Sequence, residues 1–98
     1  MSAYLIAEIE VQDVEAYTEY TAQTPGLVAR HGGTFIIRGG TTKALEGDWA
    51  GRLAVMEFPD MTALETFWND PDYRKIVGIR HKHSTGRVVA VEGVPPGA

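Results

Sequence analysis

Cysteine is absent from the chain. That excludes disulfides, thiolate nucleophiles and cysteine-ligated zinc or iron–sulfur centres, and it fits a reducing cytoplasm, the location expected for this protein. Long apolar runs are missing as well. Nothing approaches the roughly 20 residues a membrane-crossing helix needs, so no membrane partner is expected. The first residues meet Glu8 too early for the apolar stretch of a secretory signal. An excess of basic residues is also lacking. The formal charge of −4 speaks against nucleic acid as a partner, because such partners call for a basic surface. There is no G-x-G-x-x-G fingerprint, phosphate loop, nucleophile elbow or H-E-x-x-H motif. Neither a cofactor nor a metal is expected.

What is present is 98 residues, enough for one domain over positions 1–94 with a flexible tail at 95–98 that opens on Pro95 and Pro96. A chain of this size buries roughly 60–70% of its unfolded surface, so its core is modest and a second subunit would add to it. Charge is unevenly distributed. Twelve of the thirteen acids lie at or before Asp72, while five of the nine Lys and Arg residues fall in the acid-free run from Tyr73 to Val91. That run holds Arg74, Lys75, Arg80, Lys82 and Arg87 together with His81 and His83. It reads either as cations gathered at a helix C-terminus, where the helix dipole favours them, or as an anion-attracting patch beside a pocket.

Hydrophobic periodicity gives the order of elements. Ala3 to Ile9 reads as a strand, with Leu5, Ala7 and Ile9 on one side and Tyr4 and Ile6 on the other. Asp13 can cap a helix in which Val14, Tyr17, Thr21, Thr24 and Val28 recur at helical spacing. Pro25 either kinks that helix or starts a new turn behind Thr24, and Gly32-Gly33 stops it. Thr34 to Arg38 and Arg52 to Phe58 read as strands, with Lys43 to Glu46 a short edge extension. Asp60 caps a second helix carrying Met61, Leu64 and Trp68, and Asp70-Pro71 restarts it with Tyr73, Ile76, Val77 and Arg80 inward or at the rim. Ser84 to Glu92 closes the series as a strand. The order βαββαβ is the split pattern of a ferredoxin-like α+β fold with a four-stranded antiparallel sheet.

Two helices cover one face of such a sheet. The other face ought to be polar if water covers it. Instead Tyr4, Ile6, Ile36, Ala54, Met56, Val89 and Val91, assigned to the open face, alternate with neighbours that are equally apolar. A second copy of the same sheet would cover that face, so a homodimer, or a larger oligomer built from dimers, is the expected assembly.

Several short motifs carry a resemblance. Arg38-Gly39-Gly40, Leu45-Glu46-Gly47-Asp48-Trp49, Arg52 and Glu57-Phe58-Pro59 are similar to the signature of the domain of unknown function 1330 family. The opening A-Y-L-I-A-E-I-E-V-Q-D, the helix restart Asn69-Asp70-Pro71-Asp72-Tyr73 and the closing Val91-Glu92-Gly93 agree with it, and together they span nearly the whole chain. The resemblance implies a ferredoxin-like protomer of the dimeric α+β barrel superfamily. That superfamily spans cofactor-free monooxygenases, haem-degrading enzymes, lactone isomerases and proteins without catalytic activity, so the fold alone leaves the function open.

The candidate site residues follow from the strand ends and the long loop. Glu8, Arg38, Glu57 and Glu92 each place a charge near one end of a strand. In a dimeric barrel the face opposite the helices would line a cavity. A carboxylate there would have its pKa raised by desolvation, which suits Glu57 to proton transfer, while Arg38 could hold a substrate oxyanion. The plainer alternative is an Arg38–Glu57 ion pair tying the hairpin together. Trp49, in an unusually long connection from Gly39 to Gly51, is either a lid over an apolar ligand or a plug at the interface. Trp68 reads as a core residue or a second apolar wall, with Glu8, Arg80 and His81 completing the ligand-contacting set. His81 and His83 share a face only if they lie on a strand, and no third metal ligand is evident. The tryptophan–histidine pairing of haem-degrading barrels would need Trp68 and His81. The asparagine such enzymes carry on their first strand has no counterpart here.

The expected function is therefore a small-molecule pocket in a homodimeric barrel, with cofactor-independent proton transfer or oxygenation of a small, partly aromatic organic acid. The alternative is a non-enzymatic ligand-binding, stress-associated or protein-interaction module. A ligand site would show as an open pocket of about 300 Å³ or more with convergent polar groups.

Overall fold

The first strand, β1 (Ala3–Val11), sorts its own side chains between two environments. Ala3, Leu5, Ala7 and Ile9 are buried, whereas Tyr4, Ile6 and Glu8 between them are only partly covered. The computed structural model describes residues 1–49, 51–95 and 97. Ala50, in the long loop, and Pro96 and Ala98, in the expected tail, lie outside the described residues.

Helix α1 (Val14–Arg30) starts where the Asp13 carboxylate accepts from the Ala16 amide at 3.0 Å. It runs through Pro25 without a new start, and it ends where Gly32 takes a left-handed φ of +77° and Gly33 N–H returns to the Val28 carbonyl at 2.9 Å. Gly33 is required for another reason. A Cβ there would sit 2.6 Å from the Phe58 ring and 2.7 Å from Val28. Strands β2 (Thr34–Arg38) and β3 (Arg52–Phe58) follow. Helix α2 (Met61–Trp68) is capped by Asp60, and α3 (Pro71–His83) by Asp70 with Pro71 in its first turn. Strand β4 (Ser84–Glu92) closes the fold. Lys43 to Glu46 form no strand, correcting the expected edge extension.

The sheet order is β2-β3-β1-β4, every neighbouring pair antiparallel, with the helices on one face: a ferredoxin-like α+β fold. Between helices and sheet the core centres on Val28, Phe58, Phe67 and Tyr73, each nearly inaccessible to solvent. Aromatic rings stack through it, Phe67 lying 5.4 Å from Phe58 and 4.5 Å from Tyr73.

Register decides which side chains share a face. Leu5 pairs with Met56 and Ala7 with Ala54, so Ala54 and Met56 face the helices, not the open side as expected. Leu53 and Val55 beside them are apolar too, and alternation alone could not give the phase. The open face carries Tyr4 and Ile6 flanked by Val55, Val89 and Val91, and near the β2 edge Ile37. Val89 is 55% exposed, Val91 45% and Ile37 41%. A bulge between Phe35 and Ile37 leaves Ile36 as the extra, exposed residue. None of the described helices is long and apolar enough to cross a membrane.

Candidate functional site

The bulge in β2 determines what the strand offers to the interior. Beyond it Arg38 pairs with Ala54, which puts the arginine on the helix side. Its Nη2 donates to the Thr21 carbonyl at 2.8 Å, and its guanidinium lies 4.8 Å from the centre of the Phe35 ring. Thr21 stands four residues before Pro25. Proline has no N–H, so the carbonyl that a normal helix would occupy at that point is left open, and Arg38 takes it. Next along the chain, Gly39 adopts a φ of +68°. A Cβ on Gly39 would run into the Arg52 guanidinium, so the glycine leaves Arg52 room to lie across the same opening.

These two arginines stand at the mouth of a cavity of about 50 Å³ between α1, α3 and the sheet. Its floor is apolar, from Leu5, Ala7, Ile9, Ala54 and Met56. Its walls are polar in part. Helix α1 supplies Tyr17, Tyr20, Thr21 and Thr24, and α3 supplies Tyr73 and Arg80. The Tyr20 and Tyr73 hydroxyls share a hydrogen bond of 2.9 Å, and the Thr24 hydroxyl donates to the Tyr20 carbonyl at 2.6 Å. Burial pushes the Tyr20 phenol far above its ordinary range, with the Tyr73 hydroxyl adding to the effect. Burial also raises Tyr17, against the opposing pull of Arg80 and Arg52. Both phenols stay protonated at neutral pH, and each has an O–H to give. Arg80 is only 8% exposed, and its Nε has no hydrogen-bond partner. The volume suits a few waters or a ligand of a few heavy atoms, below the expected 300 Å³. Arg38 and Arg52 are both exposed at the mouth, so a ring-sized ligand would have to displace them.

The expected site residues separate into two groups. Arg38 and Arg80 line the cavity. Trp68 backs it, 5.7 Å from the Tyr73 ring and 5.9 Å from the Arg80 guanidinium. His81 is exposed, its Nε2 at 3.4 Å from Arg80 Nη2. Glu57, Glu8 and Trp49 lie on the open face. Glu57 accepts from the Tyr4 hydroxyl at 3.0 Å, Glu8 pairs with Arg87 at 3.1 Å, and Trp49 sits beside Ile6 and Val89. Arg38 and Glu57 are thus on opposite sides of the sheet, forming neither an ion pair nor a joint site within the protomer. The physical reason is the bulge, which changes the parity of β2 before Arg38. The cavity likewise lies beneath the helices, where a site on the face opposite them was expected. Sequence reasoning missed Tyr17, Tyr20, Tyr73 and Arg52. The tyrosines sit at helical core spacing, and only their repeated hydroxyls facing a basic run could have marked them.

His81 and His83 both lie on α3, and among the described residues no three of His, Asp and Glu gather where a metal could sit. One acidic cluster lies outside the cavity. Asp70 accepts from His31 at 2.7 Å, from the Asp72 amide at 2.8 Å and from Arg30 at 3.1 Å, which together hold its carboxyl down at about 2. It joins the end of α1 to the start of α3.

Residues 2–94 match the family described as Domain of unknown function (DUF1330). Among solved structures, the RPA0582 protein of unknown function from Rhodopseudomonas palustris superposes with a TM-score of 0.77 at 19% identity, over 97% of this chain and 84% of that one. A dimeric ferredoxin-like protein of unknown function from Jannaschia sp. CCS1 gives 0.77 at 16% identity, covering 95% and 100% of the two chains. SnoaB, a cofactor-independent oxygenase from Streptomyces nogalater, solved as a mutant, gives 0.68 at 13% identity, covering 94% and 92%. At these identities the likeness is one of fold. No curated protein matches the sequence.

Proposed function

Because this chain belongs to the DUF1330 family, whose fold leaves its activity open, we propose that it binds a small organic molecule in the cavity between its helices and its sheet. One observation carries the reading: hydroxyls from α1 and α3 and guanidiniums from α3 and two strands converge on a single apolar-floored cavity. Arg38 and Arg80 contact the ligand, Trp68 stiffens the wall behind Tyr73, and His81 flanks Arg80.

The reaction assigned to the pocket is cofactor-independent oxygenation or proton transfer, and the fold shared with SnoaB supports that class. The protein acts in the cytoplasm as a homodimer. A second copy covers Val89, Val91 and Ile37 on the open face, an assembly supported by the dimeric Jannaschia protein. Glu8, Glu57 and Trp49 then belong to the interface.

Amide-resolved titration with a panel of single-ring aromatics tests the site. Shifts should centre on Tyr17, Tyr20, Thr21 and Tyr73. Shifts confined to Tyr4, Ile6 and Val89, or none at all, would sink the proposal. Oxygen uptake by the same mixtures tests the chemistry. A second reading, a binding module without catalysis, is favoured by one observation: the lining has no carboxylate or imidazole to act as a base. Saturable binding with no oxygen uptake and no solvent exchange of ligand protons would decide for it.

A further inference from the structure

The cavity has donors in excess and no formal negative charge. Arg38, Arg52 and Arg80 line it, yet its walls include no Asp, Glu or His. Among the described residues none of these three guanidiniums takes part in an ion pair, although Arg30, Lys75 and Arg87 all do. Arg38 and Arg52 reach solvent and are hydrated. Arg80 is enclosed. A guanidinium taken out of water needs a counter-charge and partners for its N–H groups. Among the described residues this one has no carboxylate in ion-pair reach, its Nε is unpaired, its Nη2 has the long contact to His81, and the Trp68 ring lies 5.9 Å away.

The hydroxyls lean the same way. In the Tyr20–Tyr73 pair one O–H is used between the two oxygens, which leaves the pair one proton to give. The enclosed face of the cavity therefore presents a cation, an unpaired N–H and a spare O–H.

We propose that the ligand of this cavity is a small organic carboxylate, with Arg80 as the charge partner of its head and Arg38 and Arg52 closing over its body from the mouth. The proposal rests on the reading of the cavity as a ligand site. A planar carboxylate matches the parallel N–H groups of an arginine, and its oxygens have room for a further O–H. The apolar floor takes the rest of the molecule. With no base in the walls, the ligand arrives already ionised.

Matched charged and neutral probes test this by calorimetry at low chloride: acetate against acetamide for the cavity as it stands, and benzoate against benzamide for a mouth that opens. In the intact protein the carboxylate of at least one pair should bind about tenfold tighter than its amide, or more. Arg80→Gln should abolish the preference, Arg80→Lys should retain part of it, and the surface variant Lys82→Gln should leave it unchanged. Thermal melts of each variant check that it is folded. Amides binding as well as carboxylates, or a preference that survives Arg80→Gln, would overturn the proposal while leaving the ligand site standing. If both Arg80 variants unfold, loss of the preference in an Arg38→Gln, Arg52→Gln double variant is expected, and its persistence counts against the proposal. Failure of all four probes to bind would remove the ligand site itself, and this proposal with it.

Discussion

The covered and bare faces of the sheet are made from nearly the same residues, and they differ in what stands opposite them. On one, Leu5, Ala7, Met56 and Phe58 meet aromatic side chains from three helices and are buried. On the other, Val89 and Val91 stay about half exposed although they are as apolar, and Ile6 and Val89 have only the loop residue Trp49 laid beside them among the described residues. The covered face is not uniformly filled either. Toward Phe67 it is closely packed, and toward Arg80 it opens into a cavity. Apolar composition thus says that a face wants cover, while the identity of the cover comes from elsewhere in the chain or from another copy.

The sharpest way to break the contrast is inside the covered face. Phe67→Ala removes the ring that links Phe58 to Tyr73 and should cost about 3–5 kcal/mol in chemical denaturation. On the bare face, Val89→Glu should leave the secondary structure intact but weaken self-association about a hundredfold, read by sedimentation across a concentration series. An unchanged sedimentation profile would mean that the bare face is not the interface. Tyr20→Phe leaves the Tyr73 hydroxyl without its partner and should cost about 1–2 kcal/mol, seen as a shifted denaturation midpoint. Asp70→Asn should have the smallest effect, present at neutral pH and vanishing in acid. The Asp70 carboxyl sits at about 2 when folded, below its ordinary 3.8, so its stabilisation is full above the ordinary value and fades as pH falls toward 2. The gap in Tm between the wild type and this variant should therefore close on acidification from about pH 5 to pH 2.

Much of the fold was legible in the sequence because its signals are local. Asp13, Asp60 and Asp70 mark helix starts, Gly32-Gly33 marks a stop, and the bounds of β2, β3 and β4 fall where alternation and turn residues put them. The phase of the strands was not legible. When both parities are apolar, a strand does not declare which side faces inward, and Ala54 and Met56 were assigned to the wrong one. The bulge before Arg38 has no mark in the sequence, yet it carries that arginine to the side away from Glu57. The candidate site was half legible. Arg38, Arg80, Trp68 and His81 gather at or behind the cavity, while Glu8, Glu57 and Trp49 belong to the other face. The tyrosines escaped because a phenol at a core position reads as packing until a cavity is found beside its hydroxyl.

Pro25 gives α1 two properties that pull against each other. A residue such as alanine at that point would restore the missing N–H, close the helix onto the Thr21 carbonyl and make α1 a better helix. It would also evict the Arg38 guanidinium from its berth, leaving the doorway of the cavity guarded by an untethered side chain. The flaw in the helix serves as the hinge-post on which that door is hung, and a protein improved at this position would trade order at its entrance for strength in its frame.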